Sequence, residues 1–289
     1  QSLLFLNRRG FANFILCPDC GFTFKCPNCS VTLTYHIRDR SLQCHYCDYH
    51  MRAPGDCPQC EGHRLQGMGI GTERLEQEIR SLFPEIQVGR MDRDTTSRKR
   101  SHQQILKSLE SGKIDILVGT QMIVKGHDFP NVTFVGVVSA DTSLHFPDFR
   151  SSERTFQLLT QVAGRAGRGE VFGEVVIQTF NPDHYSIQKA KDHDFIGFYQ
   201  EENQFRRALD YPPFSRLINF RLVGNSERKT KTASEEIGRI GKILLKRGYG
   251  RGIEILGPSA APFAKMRGKF RWQMLAKGKS PKLLHQFAQ

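Results

Sequence analysis

Eight cysteines arranged as four C-x-x-C units constrain this chain more than any other feature: Cys17/Cys20, Cys26/Cys29, Cys44/Cys47 and Cys57/Cys60, all between residues 17 and 60. Two residues between thiols let one tight turn aim both sulfurs at one ion, and soft thiolates in sets of four suit tetrahedral Zn²⁺. A disulfide framework needs a secreted context, and the first residues carry neither a basic n-region nor a small-residue cleavage site. An iron–sulfur centre stays open as the competing reading. Five residues separate Cys20 from Cys26, too little chain to bring those two units onto one ion, whereas fourteen separate Cys29 from Cys44. That longer loop, with strand-like Val31-Thr32-Leu33-Thr34-Tyr35 and Ser41-Leu42-Gln43 around polar Arg38-Asp39-Arg40, reads as a hairpin close to zinc-ribbon spacing. The expected arrangement is nested: Cys26, Cys29, Cys44 and Cys47 hold one Zn²⁺, and Cys17, Cys20, Cys57 and Cys60 hold another. With four thiolates at each ion, no position is left for water, so both ions are structural. His45, His50 and His63 lie nearby and read as surface residues.

At 289 residues the chain is long enough for one large or two to three modest domains. No apolar run approaches the ~18 residues of a membrane span, and a cytoplasmic protein is expected. Around the cysteines the chain reads as α/β. Residues 3–6 form a strand-like run followed by Asn7-Arg8-Arg9-Gly10 and a further apolar stretch to Leu16. The glycine-rich Gly67-Met68-Gly69-Ile70-Gly71-Thr72 leads into a helix over 73–82 with Leu75, Ile79 and Leu82 on one stripe. A glycine-rich turn of this kind approaches phosphate closely, although tight packing alone accounts for it. A second helix is expected over 98–111, and buried strands over 114–118, 132–138 and 175–179. Such alternation predicts a mostly parallel sheet with helices on both faces.

The net charge of +13 is concentrated at one end. Residues 208–289 hold 17 Lys/Arg against 5 Asp/Glu, whereas residues 61–207 hold 19 against 20. A basic module of this kind attracts phosphate, with a merely solvated cationic surface as the plain alternative. The zinc module holds 4 basic and 4 acidic residues between 17 and 60, and two Zn–Cys₄ centres would add negative charge. A protein-docking surface or a steric wedge suits it better than a phosphate grip. Within the basic module, residues 215–222 alternate with Ile218, Phe220 and Leu222 inward. Residues 270–276 alternate with Phe270, Trp272, Met274 and Ala276 inward and Arg271, Gln273 and Lys277 outward, and a helix over 234–247 is expected to bury Ile237, Ile240 and Leu244. The outward row, with Lys265, Arg267 and Lys269, forms the candidate phosphate contact of a small α+β domain.

Ligands of open parallel sheets gather beyond the carboxyl ends of the strands. The sequence assigns to that rim Gly119-Thr120-Gln121, Lys125-Gly126-His127-Asp128 and Gln161-Val162-Ala163-Gly164-Arg165-Ala166-Gly167-Arg168, the last closing a helix from about Ser152. Arg165 and Arg168, each preceded by glycine, make poor helix and good phosphate chemistry, because a planar guanidinium fork needs close backbone approach. A glycine-rich helix end with two solvated arginines is the plain alternative.

Gly119-Thr120-Gln121-Met122 with Lys125-Gly126-His127-Asp128-Phe129-Pro130, followed by residues 161–168, resembles motifs V and VI of superfamily 2 helicases. With the four C-x-x-C units inserted after Asn7-Arg8-Arg9-Gly10-Phe11, the whole chain resembles the C-terminal part of the PriA family of bacterial primosomal replication-restart DNA helicases. The resemblance implies a second RecA-like lobe from residues 1–16 and 64–207, a zinc insertion at 17–63, and a basic α+β domain at 208–289. It implies that Gly119 and Thr120 meet a DNA phosphate and help sense the nucleotide, and that Gly126, Asp128, Gln161 and Gly164 line the nucleotide, with Asp128 towards the ribose. Arg165 and Arg168 would reach the γ-phosphate of ATP held by the other lobe, and Arg267, Lys269 and Arg271 would bind DNA. Implied partners are forked and single-stranded DNA, single-strand-binding protein and other primosome proteins, with 3′ to 5′ translocation driven by ATP and Mg²⁺.

A Walker A loop is absent. The nearest match, Gly278-Lys279-Ser280, has Gln273 where glycine is required, and no D-E-x-H segment occurs. The first lobe is therefore expected to be missing from these residues, which alone should not hydrolyse ATP. A non-catalytic zinc scaffold that binds nucleic acid or protein is the alternative from a different class.

Overall fold

The computed structural model describes the chain outside residues 7–13, 21, 28–31, 37–38, 45–48, 69–70, 93–94, 97–100, 124–128, 145, 147 and 168–170. In chain order its elements are β1 (Ser2–Leu6), β2 (Phe14–Leu16), β3 (Thr34–His36), β4 (Ser41–Gln43), β5 (His50–Arg52), β6 (Gln66–Met68), α1 (Thr72–Leu82), β7 (Val88–Met91), α2 (Ser101–Glu110), β8 (Ile116–Gly119), β9 (Phe134–Val138), α3 (Asp141–Leu144), α4 (Ser151–Ala163), β10 (Glu174–Ile177), α5 (Tyr185–Lys191), α6 (Phe195–Ala208), β11 (Arg216–Gly224), α7 (Glu227–Lys246), β12 (Ile253–Met266), β13 (Lys269–Gly278) and α8 (Pro281–Ala288). Two compact units result. One comprises Gln1–Asn13, Tyr35–Arg40 and Gly67–Glu202, the other Phe14–Thr34, Ser41–Gln66 and Asn203–Gln289. The cysteines and the basic C-terminal segment thus belong to the same unit.

The first unit is built on five parallel strands in the order β10-β9-β1-β8-β7. Leu3 and Phe5 join Leu117, Val135 and Val137 on one face, where α2, α4 and α6 contribute Leu109, Phe156 and Phe198. Leu4 and Val118 turn to the other face and meet Leu75 and Ile79 of α1. Burial on both faces is why these strands read as continuous apolar runs rather than alternating ones. Phe156 stacks on Phe198 at 4.2 Å between ring centroids, and Tyr185 extends the stack at 5.8 Å while its hydroxyl donates to Glu202 at 2.6 Å.

Two local outcomes differ from the sequence expectation. Strand β7 went unforeseen because Val88-Gly89-Arg90-Met91 lacks an apolar run, yet as an edge strand it needs only β8 as partner. A Cβ at Gly89 would lie 2.6 Å from Ile114, so glycine is what admits that side chain against the strand. In α1, Ile79 is buried as expected but Leu82 is 72% exposed. The helix stops at Phe83, the residue before Pro84, whose ring disfavours helical geometry in its predecessor. Helix α2 ends as its sequence dictates: Gly112 takes φ 73°, and the Lys113 N–H reaches back to the Ser108 carbonyl.

In the second unit β4 and β5 pair antiparallel from Ser41↔Arg52 to Gln43↔His50. The C-terminal segment forms an antiparallel sheet in the order β11-β13-β12, with α7 and α8 packed on it. Strand β11 alternates as expected, its Ile218, Phe220 and Leu222 more covered than Asn219, Arg221 and Val223. Met274 and Ala276 are buried, and Trp272 is partly covered beneath Lys231, whose Nζ lies 6.0 Å from the ring centroid.

The helix expected over 234–247 forms within α7 but turns a different face inward. Its buried residues are Thr230, Ser234, Gly238 and Gly241, whereas Ile237 and Ile240 are 40% and 45% exposed and Leu244 is only partly covered. Close approach decides this: a Cβ at Gly238 would meet Pro258 at 2.7 Å, and one at Gly241 would meet Ile255 at 2.7 Å. A small-residue face lets α7 lie nearer the sheet than a stripe of isoleucines could. Gly278-Lys279-Ser280 is a strand-to-helix junction in which the Ser280 hydroxyl accepts from the Leu283 N–H and caps α8, with Pro281 in its first turn.

Candidate functional site

The four cysteines assigned to the outer ion converge. Sγ of Cys17 lies 3.6 Å from that of Cys60, Sγ of Cys20 lies 3.6 Å from that of Cys57, and all four lie within 4.8 Å of one another. A tetrahedral Zn–S₄ centre with bonds of about 2.3 Å places its sulfurs about 3.8 Å apart, so the group fits zinc. The two turns share one construction. The Cys17 N–H donates to Phe22 O and the Cys57 N–H to Gly62 O, each spanning five residues. Glu61, directly after the second knuckle, adopts φ 58°. An ion pair between Arg64 and Asp19 ties the chain after the second knuckle to the first.

Proximity sets Cys57 and Cys60 apart in their affinity for protons. Burial raises the Cys57 thiol, but the N–H groups of Cys60 and Gln59 and the neighbouring thiols outweigh it and bring the group to about 7. At Cys60 the Gly62 N–H pulls downward, and the thiols of Cys20 and Cys17 overcome it and push the group up to about 12. A divalent ion offsets the crowding of negative charge that the last deprotonation creates. Of the inner set, Cys26 and Cys44 are buried, while Cys29 and Cys47 lie outside the described residues.

At the carboxyl edge of the sheet, Gly119 ends β8 and the Thr120 N–H donates to Met91 O at 3.3 Å. A Cβ at Gly119 would meet Ile123 at 2.5 Å and Met91 O at 2.6 Å, so only glycine fits this turn. Gly126 and Asp128 lie outside the described residues. The sequence reading missed a polar turn at the same edge. Asp92 follows β7, its carboxylate accepts from the Thr72 hydroxyl at 2.5 Å and the Thr95 N–H at 3.0 Å, and its own N–H donates to the Thr95 hydroxyl at 2.9 Å. The Thr96 hydroxyl contacts Met122 Sδ at 3.7 Å, linking this turn to the one after β8. Behind it Arg90, its side chain 8% exposed, lies 3.3 Å from Asp92, 3.7 Å from Glu76 and 3.8 Å from Glu73. The spacing Asp-x-x-Thr after a strand was the available signal.

Residues 161–167 occupy another place than expected. Helix α4 runs back across the sheet after β9, so its end lies beyond the amino ends of the strands rather than the carboxyl rim. The Gly167 N–H donates to Val132 O at 3.0 Å, just before β9, and the Glu174 N–H donates to Thr133 O at 2.7 Å. Gly164 caps α4, the Arg165 N–H donates to Val162 O, and the Arg165 side chain is partly covered. Gln161 is exposed, and Arg168 lies outside the described residues. Gly167 takes φ 68°, and a Cβ at Gly173 would lie 2.3 Å from its nitrogen, so two glycine backbones close the neck of the loop between them.

The basic row of the C-terminal sheet is smaller than the sequence suggested. Lys277 is engaged internally: its Nζ lies 2.8 Å from Glu254, donates to Leu209 O at 3.1 Å and sits 5.8 Å from the Tyr211 ring. Lys265 donates to Pro27 O at 2.6 Å. Arg271 is partly covered with Nη1 3.4 Å from Met266 Sδ. Arg267 (φ 51°) and Gly268 (φ 75°) form the two-residue turn between β12 and β13, and Arg267 and Lys269 are exposed there. Among the described residues, no helix is long and apolar enough to cross a membrane.

Family comparisons follow this division. Residues 68–170 match the helicase conserved C-terminal domain, residues 26–52 the PriA DNA helicase Cys-rich region domain, and residues 207–289 the primosomal protein N C-terminal domain. The chain is 48% identical over 279 residues to the replication restart protein PriA of Bacillus subtilis (strain 168), covering 96% of the chain and 34% of that relative. It is 43% identical over 288 residues to that of Treponema pallidum (strain Nichols), covering 100% of the chain and 43% of the relative. The chain belongs to the PriA family. It corresponds to the C-terminal part of PriA and spans about a third to two-fifths of the length of these PriA relatives. The matched PriA Cys-rich region includes the inner cysteines, and the converging outer set of Cys17, Cys20, Cys57 and Cys60 lies beyond its limits. Gly119, Thr120 and Arg165 fall in the helicase domain, and Arg267, Lys269 and Arg271 in the PriA C-terminal domain.

Proposed function

We propose that these residues are the second motor lobe, zinc module and C-terminal DNA-binding module of an ATP-dependent 3′ to 5′ DNA helicase that acts at stalled or branched forks and reloads the replication machinery. The observation that carries this reading is the helicase C-terminal match over 68–170, laid on a parallel sheet with Gly119 and Thr120 beyond one edge and Arg165 beyond the other. Two opposite edges suit two separate tasks. Arg165, with Arg168, meets the γ-phosphate of ATP held by the other lobe, while Gly119 and Thr120 hold a DNA phosphate. ATP supplies the phosphoryl group and, with Mg²⁺, the charge that draws the lobes together. Arginine answers that charge because its fork is permanently positive and planar, and it is most effective across a closed, water-poor cleft. Gly126, Asp128, Gln161 and Gly164 line the same nucleotide. Closure at one edge swings the other, which advances the lobe along a strand.

Two structural zinc ions, one in each nested cysteine set, hold the inserted module, and forked DNA, single-strand-binding protein and other primosome proteins are the partners. The chain alone lacks the ATP-gripping loop and does not turn over ATP. The test is ATPase activity of the full-length protein with and without Arg165→Ala, alongside DNA affinity. Loss of DNA-stimulated hydrolysis with DNA binding intact supports the reading. Hydrolysis unchanged by the substitution, or DNA-stimulated hydrolysis by residues 1–289 alone, overturns it.

A further inference from the structure

Pro27 lies between the cysteines of the Cys26/Cys29 unit, and its carbonyl accepts a hydrogen bond from Lys265 Nζ at 2.6 Å, across 238 residues of sequence. Both residues belong to the second compact unit. Lys265 stands opposite Phe270 in the β12–β13 ladder, with its ammonium 5.1 Å from the centroid of that ring. The hairpin is shaped to present it. Between the pairs Ala260↔Trp272 and Lys265↔Phe270, β12 advances five residues while β13 advances two, so the extra residues bend the strand towards its tip. The Arg267-Gly268 turn then closes the hairpin immediately beyond Lys265.

A charge-assisted bond to a backbone carbonyl and an aromatic face occupy this ammonium. Lys265 is therefore a poor phosphate ligand in this state, although the outward basic row seemed to include it. Its partner is the backbone carbonyl that directly follows Cys26, within the segment that matches the PriA Cys-rich region. We infer that Lys265 is a positioning residue that braces the tip of the C-terminal hairpin against the Cys26/Cys29 knuckle, so that the cysteine module and the hairpin act as one nucleic-acid-binding unit. This rests on the reading of the hairpin as a DNA contact. Arg267 and Lys269 then sit on a tip whose direction is set by the knuckle, and metal loss weakens DNA binding without any cysteine touching DNA.

The test uses residues 1–289 with Lys265→Met, and Lys279→Met as a control that removes the same charge from an exposed site outside the hairpin tip. Amide hydrogen exchange is followed in peptides covering residues 22–34 and 262–271, and affinity for fluorescent oligo-dT is measured by anisotropy. Lys265→Met should raise exchange roughly tenfold in both segments, whereas Lys279→Met leaves both unchanged. Lys265→Met should weaken oligo-dT binding more than Lys279→Met does. Stripping zinc from the unsubstituted chain should reproduce the loss, and stripping it from Lys265→Met should add little. Unchanged exchange over 22–34, or equal loss of affinity in the two variants, overturns the brace. If the unsubstituted chain binds no oligo-dT at any salt concentration, the DNA-contact reading fails, and the exchange measurement still decides whether the brace exists.

Discussion

The Gly167 N–H donates to the Val132 carbonyl at 3.0 Å, fixing the arginine-bearing turn to the amino end of β9. A nucleotide that meets Arg165 must therefore approach from the edge opposite to Gly119 and Thr120. In the full-length protein, Arg165→Ala should lower DNA-stimulated ATP turnover by about 10³ or more, as loss of an arginine finger does. Single-stranded DNA affinity should be unchanged. Steady-state kinetics and anisotropy on the same preparations check both.

Gly173→Ala tests the neck of that loop. The added Cβ would lie 2.3 Å from the Gly167 nitrogen and 2.6 Å from the Ala166 Cβ. Backbone must shift, at a cost of about 1–3 kcal/mol, readable in urea denaturation of residues 1–289. A variant as stable as the original would show that the two glycines are not in the close contact described.

Metal content distinguishes the nested arrangement from a single site. Elemental analysis should find two zinc ions per chain, and Cys57→Ser together with Cys60→Ser should remove one. Acidification should release zinc, because every ligand must be a thiolate and protons compete for it. A chain containing one zinc, or iron, contradicts the assignment.

Salt dependence tests the C-terminal surface. Binding of oligo-dT should weaken steeply with salt, and Arg267→Ala or Lys269→Ala should each flatten the logarithmic slope by about 0.7. Lys277→Met should leave the slope alone, since its ammonium already serves Glu254 and Leu209. A flattened slope for Lys277→Met would place that residue on DNA.

Asp141 links pH to stability. Burial disfavours its charged form, but hydrogen bonds from Asn181, the Phe180 N–H and Thr179 prevail and hold the carboxyl below its ordinary value. The stability it contributes is present above the unfolded pKa of about 3.9 and is lost as pH falls through the lower folded value. Asp141→Asn should therefore be less stable at neutral pH, with a smaller loss on acidification, as thermal melts at several pH values would show.

Much of this was legible in the chain itself. The cysteine spacings predicted which four sulfurs share the outer cluster, because loop length limits which turns meet. Apolar runs marked β1, β8 and β9, since strands buried on both faces have no polar side to show, and Val175-Val176-Ile177 marked β10 although that edge strand is partly exposed. The position of Arg165 was also implicit: a crossover helix followed by a parallel strand must end at the amino edge, and only the assumption that all ligands share the carboxyl rim hid it. Asp92 and Arg90 escaped notice because a charged strand end carries no periodic signal.

What the tertiary structure alone decided concerns side chains with two acceptable environments. Ile237 and Ile240 are apolar enough for a core, but Gly238 and Gly241 allow closer contact with the sheet, and one helix cannot bury both faces there. Lys265 and Lys277 read as phosphate ligands until a carbonyl, a carboxylate and aromatic rings, all distant in sequence, come within reach. Composition records that a charge exists; whether it is free for a ligand depends on which groups folding brings beside it.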